Sequence, residues 1–141
     1  MSGFEYLDHT ADVALRGFGE TVEEAFCAAA RGLFALMVDL EAVDALESIS
    51  VSVRAETLEI LLVEWLSRLL AEKDLLGLVL SRFSVKIDRH GGGVSLSGSG
   101  WGERLDPRRH GAKLEVKGVT YAGLRVWEQE GQWIAQCVVD T

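Results

Sequence analysis

Proline occurs once in these 141 residues, at Pro107, and no stretch is of low complexity. A proline-rich linker, a hinged second lobe and a disordered tail are thereby excluded. Cysteine occurs twice, at Cys27 and Cys137. Neither has a histidine at zinc-ligand spacing and two cannot form a disulfide framework, so a pair of buried, reduced thiols is expected. Every apolar run is far shorter than a membrane span, and the opening Met-Ser-Gly-Phe-Glu lacks a basic stretch leading into an apolar one. The expectation is a cytoplasmic protein with no membrane partner. Basic residues are the minority, 14 against 22 acidic, for a net charge of −8. Direct, high-affinity binding of nucleic acid is not expected from such a balance, because it needs a basic stripe that displaces counterions. Catalytic signatures are also missing: no nucleophile elbow, no useful cysteine–histidine pair, and no phosphate-binding glycine pattern that leads into a helix.

What is present reads as one domain over residues 1–141. Two amphipathic helices stand out. From Thr21, apolar residues at Val22, Ala25, Phe26, Ala29 and Leu33 keep helical spacing, and Thr21 with Glu24 forms a capping box. A second helix starts near Thr57, carries Leu58, Leu61, Leu62, Trp65 and Leu69 on one face, and runs out around Lys73-Asp74, before Gly77. The rest alternates with period two. Strands are expected at 4–7, 13–18, 49–53 and 83–87, with a hairpin tip at His90 to Gly93 leading into 94–101. Three more follow, at 114–121, 124–128 and 132–139, with tight turns at Ala122-Gly123 and Glu130-Gly131. The sum is an α+β fold, β-β-α-β-α followed by a β-meander, with both helices packed on a mixed or antiparallel sheet. Ser95, Ser97 and Ser99 read as a solvated face. The segment from Gly102 to His110 reads as an exposed, arginine-rich loop, either simply solvated or a dock for a partner's acids.

Chemistry concentrates at the two ends of the chain. Asp8-His9-Thr10-Ala11-Asp12 puts two carboxylates and an imidazole into five residues. These are either turn formers that bond their own backbone or a site. Val138-Val139 continues a strand up to Asp140-Thr141, so a side-chain carboxylate and the chain-terminal one fall side by side. Together with the N-terminal acids they would form a hard-oxygen ligand set for Ca2+, or for Mg2+ with several waters. Lys117, beside Gly118, could reach a partner's phosphate or carboxylate, or face water. A metal-dependent hydrolase using Asp8, His9 and Asp12, and a general chaperone or binding module, are the readings from other classes.

Several strings in register resemble the archease family. They are Phe4-Glu5-Tyr6-Leu7-Asp8-His9-Thr10-Ala11-Asp12-Val13, then Gly19 to Phe26 with Met37-Val38-Asp39-Leu40, Leu61 to Leu66, Gly102 to His110, and Glu115 to Leu124. The resemblance spans essentially the whole chain. It implies a non-catalytic accessory protein that activates the GTP- and Mn2+-dependent RNA-splicing ligase of tRNA splicing and RNA repair, promoting ligase guanylylation and repeated turnover. It also implies a divalent cation, typically Ca2+, held by Asp12, Asp140 and Thr141, with Asp8 and His9 framing the site and Lys117 needed for activity. GTP and Mn2+ belong to the ligase. The chain departs from the family pattern at Thr141, where Ile, Leu or Val is usual, at Ala122, where many members carry histidine, and at Gly118, where alanine is common.

Overall fold

A computed structural model describes residues 1–7 and 12–141. The elements are β1 (Gly3–Leu7), β2 (Val13–Gly19), α1 (Val22–Met37), a 3-10 turn (Leu40–Ala42), β3 (Glu47–Ala55), α2 (Leu58–Leu76), β4 (Leu78–His90), β5 (Gly93–Arg104), α3 (Pro107–His110), β6 (Gly118–Gln129) and β7 (Gln132–Asp140). This is an α+β fold in which every strand pairing is antiparallel. The strands do not form one meander, however. They make two sheets, ordered β1-β2-β7-β6 and β3-β5-β4.

Both helices begin where their local chemistry dictates. Thr21 Oγ1 accepts from the Glu24 N–H at 3.1 Å while Glu24 Oε2 accepts from the Thr21 N–H at 3.1 Å, closing the capping box. Thr57 Oγ1 accepts from the Ile60 N–H at 3.2 Å, and Gly77 closes α2 with φ of 68°. That left-handed cap lets α2 run two residues beyond Lys73-Asp74. The apolar stripes of α1 and α2 meet in one core with the inner faces of both sheets. Trp65 is fully buried there and donates its indole N–H to the Phe26 carbonyl at 3.2 Å, which joins α2 to α1. Close packing of α1 on β2 depends on Gly17, where a Cβ would sit 2.4 Å from the Ala29 nitrogen and 2.5 Å from the Ala25 carbonyl oxygen.

The two sheets share a plan. In each, a strand that feeds a helix pairs with the inner strand of a hairpin: β2 (into α1) with β7 of β6–β7, and β3 (into α2) with β5 of β4–β5. The unit β3-α2-β4-β5 is thus inserted between α1 and β6 of the other unit. Each helix also covers the open edge of the opposite sheet. Glu23 Oε2 accepts from the Ile87 N–H of β4 at 3.4 Å, and Glu59 Oε2 accepts from the Val126 N–H of β6 at 3.0 Å. Edge amides covered in this way cannot recruit another strand.

The C-terminal half differs from the sequence expectation in two places. Residues 114–117 are not strand, and β6 starts at Gly118. From there one strand runs to Gln129, where two were expected. The register moves from Thr120 opposite Val138 to Arg125 opposite Gln136, so the stretch at Ala122-Gly123 is an excursion within β6 and not a turn between strands. Gln136 Nε2 donates to the Gly123 carbonyl at 3.0 Å and pins that excursion to β7. The turn at Glu130-Gly131 forms as expected, with φ of 53° and 79°, the positive pair that suits a right-twisted hairpin. No helix among the described residues is long and apolar enough to cross a membrane.

Candidate functional site

Antiparallel register brings three distant segments to one end of the four-stranded sheet. Val13, the first residue of β2, pairs with Val139, and Gly118, the first of β6, pairs with Asp140, the last of β7. Asp12, Lys117 and the Asp140-Thr141 end therefore start or finish adjacent strands. The main-chain N–H of Lys117 donates to the Asp140 carbonyl at 2.7 Å. Asp12 and Thr141 are half-buried, whereas the side chains of Asp140 and Lys117 are exposed. Lys117 lies just ahead of β6 and not in mid-strand. It lines a cleft of about 360 Å3 with Ser67, Ala71 and Asp74 of α2. Asp8 and His9 lie outside the described residues.

Among the described residues no three His, Cys, Asp or Glu side chains gather as a metal cluster. Asp12 and Asp140 contribute two carboxylates, and a third anionic donor at this end would be the carboxylate of Thr141. All are hard oxygen donors, the kind that Ca2+ accepts, and the partial exposure leaves room for water to complete the shell. Oxygen donors of this kind suit a hard cation better than a softer metal that prefers thiolate or imidazole.

A second polar cluster is buried, and no local sequence pattern points to it. Glu103 at the end of β5 and His110 at the end of α3 are both withdrawn from solvent, His110 completely. The Asp106 N–H donates to His110 Nδ1 at 2.9 Å, so the ring proton sits on Nε2 and points at Glu103 Oε2, 3.1 Å away. Glu103 also accepts from the Asp44 N–H at 2.6 Å and pairs with the Arg109 guanidinium. These contacts, Arg109 first, pull the Glu103 carboxyl down to about 2. Arg109 additionally donates to the Ala42 carbonyl at 3.0 Å. The stretch from Gly102 to His110 is therefore no simple exposed loop. Arg108 and Arg109 are both exposed, but Arg109 is held by Glu103 and the Ala42 carbonyl, and the cluster ties the end of β5 to the 3-10 turn. Every described side-chain polar atom buried here has a partner, which marks a structural lock.

Both cysteines are free thiols, Cys137 buried and Cys27 only half-buried. Burial pushes Cys137 up to about 12; burial, with help from Glu23 and Glu24, pushes Cys27 up to about 11. Neither is set up as a nucleophile.

An antiparallel two-sheet α+β fold, with the start of β2 beside the C-terminal end of β7 at one sheet end, defines the class of this protein. The profile of the Archease protein family matches residues 4–141. The chain is 40% identical over 141 residues to the protein archease of Pyrococcus furiosus and 43% identical to that of Thermococcus gammatolerans, covering 99% of each chain in both comparisons. The solution structure of Methanobacterium thermoautotrophicum protein 1598 superposes with a TM-score of 0.86 at 33% identity over 99% of both chains. The crystal structure of a Thermotoga maritima archease, described as a possible chaperone, shares the fold with a TM-score of 0.62 at 20% identity, over 96% of this chain and 94% of that one. The chain belongs to the archease family.

Proposed function

We propose that this protein is a non-catalytic activator of a GTP- and Mn2+-dependent RNA-splicing ligase, acting through protein–protein contact to promote ligase guanylylation and repeated turnover in tRNA splicing and RNA repair. The contact end is the sheet end that carries Asp12, Asp140, Thr141 and Lys117. One observation supports it most: Lys117 and Asp140, far apart in the chain, are joined by a main-chain hydrogen bond where β2, β6 and β7 meet. A divalent cation, Ca2+ in this reading, would neutralise the carboxylates of Asp12, Asp140 and Thr141 and fix the chain end beside Lys117. The ligase, with its GTP and Mn2+, carries the chemistry.

The test is to mix the protein with the cognate ligase, GTP and Mn2+ and follow guanylylation of the ligase. Acceleration at substoichiometric activator, lost in Asp12→Ala, is expected. No acceleration across a range of ligase concentrations refutes the reading. A general chaperone is the second reading, favoured by the description of the Thermotoga maritima relative. It requires suppression of aggregation of unrelated proteins that is insensitive to Asp12→Ala and Lys117→Ala.

A further inference from the structure

The three-stranded sheet turns one face to the helices and the other to solvent. On β3 the alternation is strict, with Ile49, Val51 and Val53 inward and Ser48, Ser50, Ser52 and Arg54 exposed. Register extends these outward positions into cross-strand rows. Ser50, Ser99 and Ser84 fill one row; Ser52, Ser97 and Lys86 fill the next. The flanking rows end on Arg82, beside Trp101, and on Asp88, across from Arg54. No aliphatic side chain stands on this face. It carries three basic residues and one acid on a chain whose overall charge is −8. Among the described residues none of Arg54, Arg82 and Lys86 has an acidic partner within 4 Å, although other basic side chains, such as Arg16, Arg68 and Arg109, do. Surfaces that only need solubility intersperse both signs; here the sign is reversed locally and left unneutralised.

We propose that this face binds the sugar–phosphate backbone of single-stranded RNA. The charge complements phosphate, and the intervening serine hydroxyls can donate to phosphate oxygens or exchange hydrogen bonds with 2′-hydroxyls. Arg82 and Lys86 lie four residues apart on β4, about 13 Å along the strand, so the cations mark an extended track and not a point. Trp101 is half-exposed at one end of that track, where a base can stack on the indole. An acidic protein partner would instead need apolar anchors, and an anionic membrane would need side chains to insert; the face offers neither beyond Trp101. Binding is weak and salt-sensitive, consistent with the net charge of the chain, and it stands independently of ligase activation.

The probe is a fluorescein-labelled oligouridine, titrated with the full-length protein and read by anisotropy at low ionic strength. Saturable binding is expected, with log K falling against log[salt] at a slope of about −2, from three cations at roughly 0.7 each. The triple variant Arg54→Ala, Arg82→Ala, Lys86→Ala should abolish it, and Trp101→Ala should weaken it. A control triple with the same net charge, Arg104→Ala, Arg108→Ala, Lys113→Ala, should leave it largely unchanged. Circular dichroism melts verify that each variant is folded. No binding at low salt overturns the proposal, as does equal loss in both triples. Equal or tighter binding of polyglutamate or of phosphatidylserine vesicles at this face overturns RNA as its ligand.

Discussion

The main-chain N–H of Lys117 bonds to the carbonyl of Asp140 at 2.7 Å, while the Lys117 side chain is exposed over a cleft against α2. Backbone and side chain thus have separable jobs: the amide secures the chain end, and the ammonium is presented to solvent. Lys117→Ala keeps the amide. Its melting curve should match the parent within about 0.5 kcal/mol, as expected for an exposed position. Ligase guanylylation by Lys117→Ala should nevertheless fall sharply in a single-turnover assay. Full activation by a well-folded Lys117→Ala would remove this lysine from the contact.

The cation reading has a thermodynamic consequence that needs no ligase. A ligand that binds only the native state stabilises it by mass action, and Ca2+ at ~100 times its dissociation constant adds about 2.7 kcal/mol. Urea melts with Ca2+ and with chelator measure the gain directly. Asp12→Ala should lose it, and a tag appended after Thr141 should reduce it by converting a carboxylate into an amide. Superimposable melts in Ca2+ and chelator would dispose of the site.

Glu103 supplies a pH signature. Its carboxyl titrates at about 2 in the folded protein, below its ordinary value near 4.5, because Arg109, the Asp44 amide and His110 favour the charged form. A depressed folded value means that the unfolded chain takes up the proton first as pH falls. The stability contributed by Glu103 is therefore complete above about 4.5 and is lost progressively down to about 2. Glu103→Gln should have a lower urea midpoint at pH 7 and a shallower acid limb between those values. Parallel acid limbs in the two proteins would show that the carboxylate carries no such linkage.

How far these sites were legible in the sequence follows from the range of the interactions involved. The starts of α1 and α2 could be read because Thr21–Glu24 and Thr57–Ile60 are contacts within one turn. The Glu130-Gly131 turn was equally local. Two sheets in place of one could not be read, because each β-hairpin chooses its partner strand from far along the chain. A signal of the shared plan does exist: Glu20-Thr21-Val22-Glu23 and Glu56-Thr57-Leu58-Glu59 repeat one pattern, and the last glutamate of each covers the opposite sheet's edge. The Ala-Gly pair at 122–123 carries a local turn signal, and Gly123 does adopt φ of 60°, yet the strand resumes on the same partner, β7, which only the long-range pairing decides. His110 sits in a run of charges that looks solvated. Its burial depends on Glu103 and on contacts from residues 39–44, which local pattern cannot reveal. Asp12, Asp140 and Thr141 could be grouped from the resemblance, and the register of β2 and β7 brings Val13 and Val139 opposite each other beside them.

Two glycines of the four-stranded sheet should respond in opposite directions to alanine. At Gly17 the new methyl would lie 2.4–2.8 Å from main-chain atoms of Ala25 and Ala29, which cannot swing aside as a flexible side chain would. Helix α1 must lift from β2, with an overpacking cost of about 1–3 kcal/mol. At Gly118 nothing lies within 4 Å of the added carbon, and its φ is not in the left-handed region. Alanine there removes unfolded-state freedom and should stabilise by about 0.4–1 kcal/mol. Because Gly118 adjoins Lys117, ligase activation by Gly118→Ala separates strand rigidity from side-chain chemistry: unchanged activation with a raised midpoint assigns the activity to the ammonium, whereas a loss of activation in the more stable protein assigns it to a main chain that must yield at the start of β6. Chemical denaturation of both variants checks the signs, and a Gly17→Ala midpoint equal to the parent's would refute the close packing of α1 on β2.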